Sequence, residues 1–154
     1  MTSLCCDVLK ALKGKSLVTA ESLTGGGIGA ALTAVPGSSE VYKGGIICYT
    51  NWVKEDILHV PGGVLERYGA VSQWTAGHLV SGVRELLNAD VAVAVTGLAG
   101  PGGDEYGNPV GTVFIAYADA QRSVVKRFIF EGDREAVRRQ TIETALNLIL
   151  EYNA

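Results

Sequence analysis

Residues 90–96, DVAVAVT, constrain the fold most. Positions 91–95 are apolar with no polar alternate, and the run leads directly into the glycine-rich GLAGPGG. A strand with one face in water alternates, whereas a strand apolar on both faces lies between two layers. The segment therefore predicts a central strand with helices above and below. Its carboxyl end opens into a loop whose glycines permit a close backbone approach.

The rest of the chain supplies those layers. Residues 4–13 place Leu4, Val8, Leu9 and Leu12 on one helical face. A strand follows at 16–20, then a helix through 24–34 that Pro36 and Gly37 end. A second strand is expected at 45–50, with Asn51 capping a helix over 52–58. Pro61 opens a short helix ending near Gly69. Ser72 caps a longer one to about Asn88, with Ala76, Leu79, Val80, Val83, Leu86 and Leu87 facing inward. Residues 110–118 and 123–130 read as a hairpin turning at 119–122. Asp133 caps a final helix over 134–151, whose apolar face carries Val137, Ile142, Ala145, Leu146 and Ile149. This order predicts an α/β fold, a three-layer α/β/α sandwich with a mixed, mostly parallel sheet. The length of 154 residues suits one domain over 1–154.

Charge narrows the partners. Thirteen Lys and Arg stand against sixteen Asp and Glu, and no basic tract offers a footprint for a nucleic-acid backbone. No apolar run approaches the length of a membrane span, and residues 1–15 lack the core of a secretory signal. Cys5, Cys6 and Cys48 show no CxxC spacing, so neither a disulfide framework nor a zinc pattern is expected, and free thiols suit the cytoplasm. His59 and His78 form no HExxH, and no metal or other cofactor is expected.

Four segments carry candidate chemistry. TAESLTGGGIGAAL runs from a strand end into a helix, where a ligand in an open α/β sheet usually sits. Ser22 stands at that junction, placed as a nucleophile on an elbow, unless it or Thr24 is only a helix cap. Amides at Thr24, Gly25 and Gly26, or in the Gly97–Gly103 loop, can hold an oxyanion. Gly25, Gly27 and Ala30 fit GxGxxA, but the acidic residue of a dinucleotide site about twenty positions on is missing. In YTNWVK, Tyr49, Thr50 and Asn51 close a strand and Lys54 falls in the first turn of a helix, either solvated or buried beside Ser22 with a lowered pKa. A serine and a neutral lysine form a known nucleophile–base pair. Cys48 alternates with Tyr49 along the expected strand, faces the other way and is not proposed as a nucleophile.

Thr96 opens the loop bearing Gly97, Gly100, Gly102 and Gly103, which reads as a pocket wall. Asp104 and Glu105 match no metal motif. Arg134 and Arg138 are four apart on one helical face, with Arg139 beside them. Either they hold a phosphate or carboxylate, or Glu131, Asp133 and Glu135 neutralise them.

ESLTGG, VYKGGIICYTNWVK, YGAVS, AVTGLAGPGG, NPVGTVFIAYA and GDREAVRRQT occur in that order, and together the chain resembles the CinA C-terminal domain family over roughly residues 5–150. The typical member is a nicotinamide-nucleotide amidase, a serine amidohydrolase. The resemblance implies hydrolysis of the carboxamide of nicotinamide mononucleotide to nicotinate mononucleotide and ammonia, in pyridine nucleotide recycling. It places the family's serine at Ser22, its lysine at Lys54 and its tyrosine at Tyr49. Thr96 falls on the residue that opens the glycine loop, and Arg134 on the arginine of GDR. It also implies a homodimer. Longer members carry an N-terminal domain related to molybdopterin-binding proteins, and a chain of this length suits the stand-alone form. Two departures stand out: Leu23 replaces the family's cysteine in ESCTGG, and Cys48 and Thr50 depart from its TYSN. Two alternatives to an active nucleotide amidase are a nucleotide-binding module without turnover and an amidohydrolase for another small amide.

Overall fold

The structure is a computed structural model that describes residues 1–154. In chain order its elements are α1 Thr2–Ala11, β1 Leu17–Glu21, α2 Gly27–Thr33, β2 Tyr42–Ile47, α3 Asn51–Asp56, α4 Gly62–Tyr68, α5 Gln73–Leu86, β3 Val91–Gly97, β4 Thr112–Ala118, β5 Ser123–Ile129 and α6 Arg134–Asn153. The five strands form one sheet in the order β2-β1-β3-β4-β5. β1 pairs parallel with both β2 and β3, and the β3–β4 and β4–β5 pairs are antiparallel. Four strands thus run one way and β4 runs against them.

The unbroken apolar run of β3 is explained by two separate cores. Val91, Val93 and Val95 pack with Val113, Ile115 and Tyr117 beneath α1, α2 and α6. Ala92 and Ala94 face the other way and pack with Val18, Ala20, Ala116 and the α5 residues Ala76, Leu79, Val80 and Val83. The period of two along each strand sorts residues between the layers. No helix is long and apolar enough to cross a membrane.

Caps fall where polar side chains can reach free amides. Ser72 Oγ accepts from Thr75 N at 3.0 Å, and Asp133 Oδ1 accepts from Ala136 N at 2.9 Å, so both expected caps are present. Asn51 is not a cap: it is the first residue of α3, and Thr50 precedes it without a side-chain bond. β2 lies three residues earlier than 45–50. Its Gly44, at φ +147°, precedes the expected span and lies inside the observed strand at the sheet edge. Leu86 and Leu87 are 48% and 40% exposed, because α5 ends at Leu86 before the helical face they would share is complete.

Gly82 sets how α5 meets the segment after α3. A Cβ there would fall on the Leu58 carbonyl oxygen, a backbone atom that cannot swing aside. Gly82→Ala should therefore destabilise the protein by about 1–3 kcal/mol. The expected reading is a lower urea midpoint with an unchanged slope.

Candidate active site

The sheet register assembles the site. Glu21 lies beside Ile47 on one side and Val95 on the other, so the residues that follow, Ser22, Cys48 and Thr96, emerge at one edge. Ser22 N donates to Val95 O at 3.1 Å, and Cys48 N donates to Glu21 O at 2.9 Å, which extends both ladders by one step. The chain leaves β1 through α2 on one face of the sheet, and reaches β3 through α3, α4 and α5 on the other side. The crevice outside the strand ends at such a reversal is where a ligand fits. A cavity of about 470 Å³ opens there. Its lining includes Ser22, Tyr49, Lys54, Thr96, Arg134 and the glycine loop at Gly97, Gly100, Gly102 and Gly103.

Lys54 is the least ordinary residue in this lining. It is 1% exposed, and its Nζ donates to Ser22 Oγ at 2.9 Å, to Cys48 O, and to Tyr49 O at 3.3 Å. No carboxylate forms an ion pair with it. Burial lowers its pKa below the ordinary 10.5, because a desolvated ammonium is costly. All three partners accept from Nζ, and the Ser22 hydroxyl is the one among them that can also donate, to the lone pair of Lys54 when the amine is neutral. Ser22 is 6% exposed and borders the cavity. Cys48 is buried, and burial pushes its thiol up to about 11, so it is not a thiolate at neutral pH.

Two of the expected binding groups bridge the mouth. Arg134 Nη1 donates to Gly100 O, and Nη2 donates to Tyr49 Oη at 3.1 Å. Neither Arg134 nor Arg138 forms an ion pair with Glu131, Asp133 or Glu135, which counts against the alternative of neutralisation by those acids. Thr96 is buried in the lining, and its hydroxyl donates to Ala70 O at 2.8 Å. With Asn108 Nδ2 on Val71 O at 3.0 Å, it holds the 70–71 segment as one side of the cavity.

The remaining expected binding residues lie elsewhere. Arg138 is absent from the lining. Its Nε donates to Leu23 O at 2.9 Å and its Nη2 to Thr24 O at 3.2 Å. Thr24 is fully buried and donates its hydroxyl to Glu21 Oε1 at 2.6 Å, while Gly25, Gly26 and Asn51 also lie outside the lining. Gly25 and Gly26 have φ of +58° and +100°. Their role is to turn the backbone through a left-handed path that other residues resist.

Glu21 escaped the sequence reading. It is 2% exposed, and its carboxylate accepts from Thr24 Oγ1, from Ile28 N at 2.8 Å and from Gly29 N at 3.1 Å. The first amides of α2 are therefore occupied by an internal anion and are not offered to a ligand. In the cavity lining, the amides of Leu23, Ala99, Gly100, Gly102 and Gly103 donate to no protein acceptor. The signal was a glutamate at a strand end followed three residues later by threonine and then a glycine-led helix. No group of three or more His, Cys, Asp or Glu side chains is placed to hold a metal ion.

The CinA C-terminal domain model matches residues 2–153. The chain belongs to the CinA C-terminal domain family. A Pseudomonas putida family relative named nicotinamide-nucleotide amidohydrolase PncC is 47% identical over 135 residues, which cover 88% of this chain and 84% of that protein. A CinA-like protein of Parasynechococcus marenigrum is 47% identical over 136 residues, 87% of this chain but 32% of its own length. The chain spans about a third of the length of four such curated relatives. Among solved structures, the competence or damage-inducible protein of Enterobacter asburiae superposes with a TM-score of 0.96 at 31% identity, covering 99% of this chain and 98% of that one. The competence damage-inducible protein A of Klebsiella pneumoniae gives 0.95 at 37% identity, covering 97% and 94%. The three-layer CinA fold expected from the sequence is the fold observed.

Proposed function

We propose that this chain is an amidase that hydrolyses the carboxamide of nicotinamide mononucleotide, with Ser22 as nucleophile and Lys54 as base. The observation that carries the reading is the 2.9 Å approach of a buried, unpaired lysine to a serine that borders the cavity. The Pseudomonas putida relative supports the choice of substrate.

The Ser22 hydroxyl proton passes to the lone pair of Lys54 Nζ as Oγ bonds the amide carbon. The carbonyl oxygen takes the negative charge and is met by amides of Leu23 and the 99–103 loop. When it re-forms the carbonyl, the C–N bond breaks and the Lys54 ammonium protonates the departing ammonia. Tyr49, whose own hydroxyl hydrogen is not committed by accepting from Arg134, is the second donor at the mouth. Water then adds to the acyl carbon, gives its proton to Lys54, and expels Ser22 with nicotinate mononucleotide as product.

Arg134 is the cation available for the 5′-phosphate, since its present partners are two neutral oxygens that a phosphate outcompetes. It binds substrate and transition state alike, so Arg134→Ala should raise KM about tenfold or more and change kcat far less. Steady-state kinetics on the nucleotide check this. Gly97 and Gly100 line the same space and allow the ring to approach the backbone.

The test of the reading is ammonia release from nicotinamide mononucleotide by the purified chain. Release coupled to nicotinate mononucleotide supports it. Folded protein that binds the nucleotide and releases nothing points to a binding module, and release only from other small amides points to a different substrate. A cytoplasmic location and pairing into a homodimer, both implied by the family resemblance, belong to the same proposal, and sedimentation of the purified chain tests the second.

A further inference from the structure

We propose that Glu21 and Arg138 are positioning residues that together set where Ser22 Oγ sits relative to Lys54. The inference rests on the reading of Ser22 as the nucleophile. The turn after β1 is soft by composition: residues 25–27 are three glycines, two with left-handed φ, and its own backbone bonds are Gly25 N to Ser22 O at 3.1 Å and Gly27 N to Thr24 O at 2.9 Å. A nucleophile on such a turn would wander by more than the geometry of proton transfer tolerates.

Two charged side chains hold the turn from outside it. Glu21 and Ser22 are consecutive, so their side chains leave on opposite sides of the sheet. Ser22 meets Lys54 on one side. On the other, the Glu21 carboxylate gathers the Thr24 hydroxyl and the Ile28 and Gly29 amides, locking the turn to the start of α2. Arg138 reaches over from α6 and forks onto the carbonyls of Leu23 and Thr24. The two clamps meet at Thr24, one on its hydroxyl and one on its carbonyl. Neither Glu21 nor Arg138 lines the cavity, and neither forms an ion pair. Their charges are spent on the backbone path around Ser22, so they act on turnover through Ser22 without touching substrate.

Arg138→Lys separates this role from simple attraction of an anionic substrate. Lysine keeps the charge but cannot fork onto two carbonyls. Loss of the clamp should lower kcat about 10–100-fold with KM within twofold of wild type. It should also slow labelling of Ser22 by a fluorophosphonate probe, which needs no nucleotide. Glu21→Gln is the second variant: an amide puts an N–H group against an N–H group, so the same kcat loss is expected, but the fold is at greater risk. Thermal melts establish which variants are folded, and crystal structures of the folded ones report the distance between Ser22 Oγ and Lys54 Nζ directly. A displaced Oγ together with the kcat loss supports the proposal. Arg138→Lys with wild-type kcat, or with a raised KM alone, overturns it, as does an unmoved Ser22–Lys54 pair. A wild type that labels at Ser22 but leaves the nucleotide intact counts against the amidase reading only, because the labelling rates and the distance still decide the clamp.

Discussion

Ser22→Ala should lower turnover of nicotinamide mononucleotide about 10⁴-fold or more while leaving the fold and its melting temperature close to wild type. The loss is large because no other side chain can replace the oxygen. Cys48, which follows β2 beside the site, is buried in the α5-side core with its thiol pushed up to about 11. The fold survives because Ser22 is held by its backbone, through its amide on Val95 O and its carbonyl under Gly25 N, and only the Lys54 contact loses a partner. Nucleotide binding should persist, since Arg134 and the glycine loop are untouched. Measurement of ammonia release beside equilibrium binding checks both halves. A Ser22→Ala protein that retains full turnover removes the serine mechanism entirely.

Lys54→Met should cost about 10³-fold or more in kcat. Methionine has a similar reach but leaves the Ser22 proton without an acceptor. In the wild type the rate requires the neutral amine, so kcat/KM should rise with pH through the lowered Lys54 pKa, at a midpoint below 10.5. That limb should vanish in the variant. The same shift fixes the sign for stability. Between the lowered folded value and 10.5, the unfolded chain binds the lysine proton and the folded chain does not. The contribution of Lys54 to stability therefore grows as pH rises through that window. Below the window the folded protein carries a buried ammonium, and the contribution is at its least favourable. Urea unfolding of wild type and Lys54→Met across pH isolates the term, because all other groups are common to both.

How much of this was legible in the chain follows from where each signal lives. Ser72 and Asp133 were readable as caps because a cap is a local matter between a side chain and amides two or three residues on. The non-alternating β3 announced two covering layers because burial on both faces is written into every position of the strand. The approach of Lys54 to Ser22 was not readable as a distance. It depends on the register of β1 against β2, and the sequence reading had β2 starting three residues late. Arg138 was paired with Arg134 because both lie on one helical face, but α6 tilts only the earlier one into the cavity and leaves the later one against the turn. Glu21 was passed over because a lone glutamate is solvated in most chains, and only the folded turn shows three donors converging on it.

The fork of Arg138 onto Leu23 O joins residues 115 positions apart. During synthesis the serine, the lysine and every strand of the sheet exist before the side chain that steadies the nucleophile. A growing chain that already has its sheet still lacks a finished reaction centre. On the proposed reading, a chain that has its sheet but not a docked α6 lacks the Arg138 clamp, so the geometry around Ser22 is completed only when α6 packs in place.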